Sequence, residues 1–110
     1  NMTVGNAAVR NEMPVEGLGG YVVCDIKRVE CAQLDLEDLV SIKSFSEVCA
    51  AEPRIDFLVL NAGVMCIKTL ERTPNGWERQ MGTNHLGHAY LTSLLKSKMA
   101  AQLHASRIVS

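Results

Sequence analysis

Apolar and polar positions alternate between helical and strand-like periods along the chain. Ile42, Phe45 and Cys49, with Val48 alongside, recur at spacings of three and four and predict one apolar helical face. Asp38 is placed to cap that helix, which runs to about Ala51, and Pro53 stops it. Ile55 to Leu60 is almost wholly apolar, as in a parallel strand buried on both faces. Thr73 as cap and Pro74 at the first helical position then predict a long helix, with Trp77, Met81, His88, Leu91, Leu95 and Met99 along one stripe. Arg107 to Ser110 reads as the opening of a further strand.

The first third of the chain is less regular. Thr3 to Met13 is a weak helix candidate, opposed by Gly5, Asn6 and Asn11. Pro14 and the run Gly17-Leu18-Gly19-Gly20 break it. That run lacks a preceding buried strand and a following helix, so it reads as a turn and not as a phosphate loop. Tyr21 to Leu34 reads as one or two strands, the later being Val29 to Gln33. The order helix, strand, helix, strand, helix, strand predicts an α/β domain with a parallel sheet and right-handed crossovers.

Composition narrows the function classes. Apolar residues make up 47% of the chain and charged residues 21%, as in a folded globular protein. The net charge of −1 leaves no basic excess for nucleic acid. The densest apolar run, Ile55 to Met65, is broken by Asp56, Asn61 and Gly63, so membrane association is not indicated in this segment. Cys24, Cys31, Cys49 and Cys66 lie 7, 18 and 17 residues apart, which suits neither a zinc site nor a redox pair. Buried, reduced thiols of an intracellular protein, soluble over this segment, are expected instead. His85 and His88 sit three apart on the helix without further ligands, so no metal is expected.

Two strand ends carry chemistry, because open α/β sheets bind ligands at the carboxyl ends of their strands. A carboxylate at Asp35 could accept from an adenine amino group while the backbone N–H of Leu36 donates to the ring. In Asn61-Ala62-Gly63 the glycine lets backbone approach a ligand, the alanine keeps the floor flat, and the asparagine can bond neighbouring main chain. Taken alone, Asp35 reads more readily as a loop or pre-helix aspartate, and Asn-Ala-Gly as a simple turn. Gly82 and Gly87 are poor helix residues that close packing would explain. Asn84 falls on the stripe between Met81 and His88, where it is expected to face the sheet, buried and partnered.

Taken together, Gln33-Leu34-Asp35-Leu36, Ile55 to Met65 with its Asn-Ala-Gly, Gly82-Thr83-Asn84-His85-Leu86-Gly87-His88 and Ser106-Arg107-Ile108-Val109-Ser110 resemble the short-chain dehydrogenase/reductase family in order and spacing. The Asn-His-Leu-Gly-His stretch is most similar to its retinol dehydrogenase and protochlorophyllide reductase branches. The resemblance covers residues 29–110 well and residues 1–13 loosely. It implies a partial Rossmann fold, a doubly wound parallel sheet in three α/β/α layers. It implies that Asp35 and Leu36 meet the adenine ring, that Asn61, Ala62 and Gly63 steady the sheet and line the adenine ribose, and that Asn84 is the tetrad asparagine, which anchors a proton-relay water.

The implied activity is hydride transfer between NAD or NADP, with NADP slightly favoured by the resemblance alone, and a small-molecule carbonyl or alcohol; homo-oligomers are compatible with it. A non-catalytic dinucleotide-binding regulatory member, or another Rossmann enzyme such as a methyltransferase, stands as the alternative. The chain reads as an internal piece, residues 1–110 of a dinucleotide-binding domain lacking the glycine-rich loop and the Tyr-x-x-x-Lys segment. Tyr21 and Tyr90 are followed four residues on by Asp25 and Leu94, not by lysine, and Ser110 leads into the expected catalytic serine without being it.

In the family's usual strand order, 3-2-1-4-5-6, such a piece leaves the Val29 strand without a neighbour and the Ile55 strand with an open apolar edge. The isolated 110-residue polypeptide is therefore expected to aggregate or to melt without cooperativity. Size-exclusion chromatography with calorimetry checks this, and a cooperative monomeric transition would contradict it.

Overall fold

The computed structural model describes residues 29–110, together with the backbone of two short strands, β1 (Glu12–Val15) and β2 (Gly20–Val23). The chain forms two compact units, residues 1–33 and 34–110. In the first, β1 and β2 pair antiparallel, with Glu12 opposite Val23 and Val15 opposite Gly20. Strand pairing at Glu12 and Met13 overrides the end of the expected Thr3–Met13 helix; its remainder and the turn at residues 17–19 lie outside the described residues. Residues 29–33 are exposed and irregular, against the expected strand. A strand needs a hydrogen-bonded neighbour, and among the described residues no strand element pairs with this stretch.

In the second unit, helix α1 (Leu39–Ala51) starts where Asp38 predicts. The Asp38 carboxylate accepts from the Val40 N–H at 2.9 Å, satisfying one of the helix's orphan donors. The helix ends at Glu52, whose φ of −64° and ψ of 143° are the extended geometry imposed by Pro53. Strand β3 (Phe57–Val59) pairs parallel with β4 (Arg107–Val109), Leu58 lying opposite Ile108. This is the two-strand parallel sheet of the expected α/β arrangement.

The second long helix starts later than Thr73. Thr73-Pro74-Asn75-Gly76 instead closes a tight turn, in which the Gly76 N–H donates to the Thr73 carbonyl at 2.8 Å. Gly76 sits at φ +84°, a conformation that favours glycine, and Arg72 and Glu78 form a bridge across the turn. Glu78 is the actual cap: its carboxylate accepts from the N–H groups of Gln80 and Met81 at 2.9 and 2.8 Å. Those two bonds hold the Glu78 carboxyl below its ordinary pKa, with Arg72 adding to the effect. The helix then runs as α2 (Arg79–Met81), a π-helical turn (Gly82–Leu86) and α3 (Gly87–Ala100).

Leu36, Ile42, Leu91, Leu95 and Met99 are buried and form one cluster, with Leu58 and Leu60 from the strand side packed against it. Each buried side chain of this kind stabilises by roughly 1.5–3 kcal/mol. Phe57 and Val59 are 65% and 63% exposed, so β3 is covered on one face, not on both. The described helices join a single core cluster with Leu58 and Leu60, and they supply no cover for the opposite face. Val48 is also exposed; Ser46, which bonds the Lys43 carbonyl, takes the buried place on α1.

Gly87 shows why the helix tolerates glycine. A Cβ there would lie inside van der Waals contact of the Leu36 carbonyl oxygen, and close to Leu36 Cβ as well. A Cβ on Gly82 would meet the Thr73 side-chain methyl at 2.6 Å, with Trp77 at ordinary contact distance. In a free helix Gly→Ala gains about 1 kcal/mol. Gly87→Ala is expected to reverse that sign and destabilise the whole protein by about 1–3 kcal/mol through overpacking. Thermal melts of the two proteins measure the difference, and a raised melting temperature would refute the close approach.

Candidate functional site

Three loops converge on the helical stretch Gly82–His88. The first is Asp35-Leu36. Asp35 is half-buried and its Oδ1 accepts from the Glu37 N–H at 2.9 Å, a local turn ahead of α1. The Asp35 N–H donates to Ser41 Oγ at 2.9 Å, which fixes the loop to the helix. Leu36 is buried against Gly87.

The second is the loop after β3. Asn84 Nδ2 donates to the Val64 carbonyl and Asn84 Oδ1 accepts from the Val64 N–H, both at 2.7 Å. Four residues further along the helix, His88 Nε2 lies 2.7 Å from the Ala62 carbonyl. That nitrogen must carry the proton, since a carbonyl can only accept. Gly63 lies between the two anchors, and a Cβ on it would stand 3.1 Å from Asn84 Oδ1. Asn84 is therefore exposed and bonded to a loop, where a buried position facing the sheet was expected. Asn61 is exposed and lies outside this clamp.

The third is the segment before the helix. Arg79 Nε donates to Glu37 Oε1 at 2.7 Å, and Arg79 Nη1 donates to Glu71 Oε2. The Thr83 hydroxyl donates to the same Glu37 oxygen at 3.2 Å. These bonds hold the Arg79 guanidinium above its already high ordinary pKa, Glu37 contributing most. Nothing in the periodicity marked Glu37, Glu71 or Arg79. Their partners are 42 and 8 residues apart, so only the fold brings them together.

A cleft of about 410 Å³ opens beside this helix at the carboxyl ends of β3 and β4, lined by Leu60, Asn84, His88, Thr92, Lys96 and Ser110. His88 Nδ1 and Thr92 Oγ1 are buried without hydrogen-bond partners among the described residues. His85 is exposed. Cys31 and Cys66 are exposed, correcting the expectation of buried thiols; Cys66 sits at φ 60° in the loop after Val64. Cys49 is half-buried, and burial followed by the nearby Glu52 pushes its thiol pKa up. Cys24 lies outside the described residues. Among the described residues no helix is long and apolar enough to cross a membrane.

Residues 7–110 match the short chain dehydrogenase family. Human retinol dehydrogenase 14 is 38% identical over 99 residues, covering 89% of this chain and 26% of the relative. Human retinol dehydrogenase 13 is 43% identical over 83 residues, covering 74% of this chain and 24% of the relative. A crystal structure of an uncharacterised protein from Mycobacterium paratuberculosis is 42% identical with a TM-score of 0.54, covering 60% of this chain and 23% of that one. The chain thus spans about a quarter of the length of the relatives it matches.

The clamp on Val64 uses both ends of the Asn84 amide. Asn84→Asp keeps an acceptor for the Val64 N–H but sets a second oxygen against the Val64 carbonyl. At neutral pH it is expected to destabilise the whole protein by about 0.5–1.5 kcal/mol, the net worth of an exposed bond. Only the protonated carboxyl restores a donor, so the folded state raises the introduced group's pKa. The deficit therefore shrinks as pH falls toward about 4 and grows as pH rises through that value. Melting curves across this range measure it, and a pH-independent deficit would count against the Nδ2 bond.

Proposed function

The chain belongs to the short-chain dehydrogenase family, and from that premise we propose that the whole protein is an NAD(P)-dependent oxidoreductase acting on a carbonyl or alcohol. Residues 1–110 are part of its dinucleotide-binding domain in this reading. The observation that carries it is the convergence on one helical stretch: Asn84 and His88 hold the Ala62-Gly63-Val64 backbone while Gly87 admits Leu36.

The residues present suit an adenine nucleotide. Asp35 commits one carboxylate oxygen to the Glu37 N–H, which leaves the second as an acceptor for an amino group. Leu36 holds the adjoining backbone in place through its buried side chain. Asn61, Ala62 and Gly63 border the ribose, where a glycine backbone can be approached closely. NADP is the form we propose, on family resemblance alone.

The bound nicotinamide supplies hydride chemistry, and this chain supplies position and proton handling. Asn84 fixes the loop that borders the nucleotide. The π-turn around it shifts the helical ladder, the Gly87 N–H donating to the Gly82 carbonyl five residues back. Such widened turns recur at functional sites because they free main-chain groups from the regular pattern. In this reading the main chain at Asn84 holds a water that passes protons toward the acid–base group. The tyrosine that exchanges the proton with the substrate is not among these 110 residues, since neither Tyr21 nor Tyr90 precedes a lysine by four. The family names of the relatives, retinol dehydrogenases, are consistent with a carbonyl or alcohol substrate.

Calorimetric titration of the whole protein with NADPH, NADH and S-adenosylmethionine tests the reading. A nicotinamide nucleotide is expected to bind and S-adenosylmethionine is not. Asp35→Ala is expected to weaken binding by about tenfold or more, the loss of one hydrogen bond to a charged group. Binding of S-adenosylmethionine alone, or an Asp35 variant indistinguishable from the parent, would overturn the assignment.

A further inference from the structure

Glu37 joins two parts of the site that the family motifs leave separate. Its backbone N–H is held by Asp35 Oδ1 at 2.9 Å, so it belongs to the loop assigned above to adenine. Its side chain reaches away from that loop to the start of the second long helix. There Oε1 accepts from Arg79 Nε at 2.7 Å and from the Thr83 hydroxyl at 3.2 Å. Thr83 is buried, at 4% exposure, and is the residue directly before Asn84. Arg79 is further tied to Glu71 twice, through its side chain and through its own N–H to the Glu71 carbonyl at 3.0 Å.

The environment gives these bonds weight. The side chains of Glu37 and Arg79 are 20% and 34% exposed, so solvent screens the pair only in part. A buried hydroxyl such as that of Thr83 needs a partner, and Glu37 is its acceptor. The π-turn that contains both Thr83 and Asn84 breaks the ordinary helical ladder, so the helix alone defines the position of Asn84 less strictly than a regular turn would. A fixed point at Thr83 compensates for that.

We propose that Glu37 is a positioning residue: through Arg79 and Thr83 it sets the register of the Asn84 turn on the Asp35-Leu36 loop, coupling nucleotide contact to the Asn84–Val64 clamp. This rests on the nucleotide reading for its functional consequence but not for its geometry. Glu37 touches neither nucleotide nor substrate in this account. Its carboxylate acts through the helix.

The test compares Glu37→Ala, Glu37→Gln and Arg79→Gln in the whole protein, by amide hydrogen exchange and by titration with ADP-ribose. Loss of the carboxylate is expected to speed exchange of the Val64 N–H by about tenfold while the Leu95 and Met99 amides keep their protection, since local opening is separable from global unfolding. ADP-ribose affinity falls in parallel by a similar factor. Glu37→Gln keeps an acceptor for Arg79 and Thr83 and is expected to restore most of both signals. Arg79→Gln, which leaves the Thr83 bond intact, moves them in the same direction by less and serves if Glu37→Ala does not fold.

Unchanged Val64 exchange in the alanine and arginine variants would overturn the proposal. So would acceleration of all amides alike, which marks a merely structural role. If the unmodified protein fails to bind ADP-ribose, the nucleotide reading falls, while the exchange result still decides whether Glu37 positions Asn84.

Discussion

A primary carboxamide bonded to both the N–H and the C=O of one residue holds the chain on either side of strand β3. Asn84 closes two 2.7 Å bonds with Val64 beyond the strand's carboxyl end. Gln102 does the same at the other end, accepting from the Ile55 N–H at 2.7 Å and donating to the Ile55 carbonyl at 2.9 Å. Asn and Gln are the neutral side chains that present a donor and an acceptor side by side, as the N–H and C=O of one extended residue do. They therefore substitute for a missing ladder neighbour where the chain leaves the sheet. Each bond contributes only about 0.5–1.5 kcal/mol net. Their value lies in geometry, because the helix and the loop after β3 are held as one body.

That constraint conflicts with helix propensity. Gly82 and Gly87 each cost about 1 kcal/mol against alanine in a helix. The π-turn between them departs from the regular ladder. Burial of Leu91, Leu95 and Met99 downstream offsets these costs. Stability is thus concentrated in α3, and the preceding turn is free to adopt the shape that the loops require. Gly87 admits Leu36 and has no room for a Cβ against the Leu36 carbonyl, while a Cβ on Gly63 would press on the Asn84 amide at 3.1 Å.

Local chemistry was legible in the sequence wherever one residue acts on its near neighbours. Asp38 capped its helix and Pro53 ended it, as residue type and spacing predict. The apolar run at residues 55–60 formed a parallel strand. What failed needed information from elsewhere in the fold. Residues 29–33 have strand-like composition but find no strand partner among the described residues. Thr73-Pro74 resembles a helix start, yet Asn75-Gly76 turns the chain first, a signal that was present and outranked by the cap motif. The link from Glu37 to Arg79 spans 42 residues and leaves no periodic trace. Asp35, Leu36, Asn61, Ala62, Gly63 and Asn84 stand out as candidates only through their joint spacing, because each alone reads as an ordinary loop or helix residue.

The misplacement of Asn84 has a single physical cause. Its burial was extrapolated from a stripe whose phase is set by His88, Leu91, Leu95 and Met99, all of which are buried. A π-turn inserts one extra residue, and one residue of α-helix corresponds to a rotation of about 100°. Every position before the turn is rotated by that amount relative to the stripe behind it. Met81 accordingly leaves the buried face and is 54% exposed, while Gly82 and Thr83 enter it. Asn84, inside the turn, is exposed and bonds the Val64 backbone instead. Thr83, beside it in the same turn, is buried and donates to Glu37. A regular helix would have satisfied the hydrophobic pattern and buried an amide among leucines. The widened turn gives up that regularity and places a donor–acceptor pair against the loop that follows Ala62-Gly63.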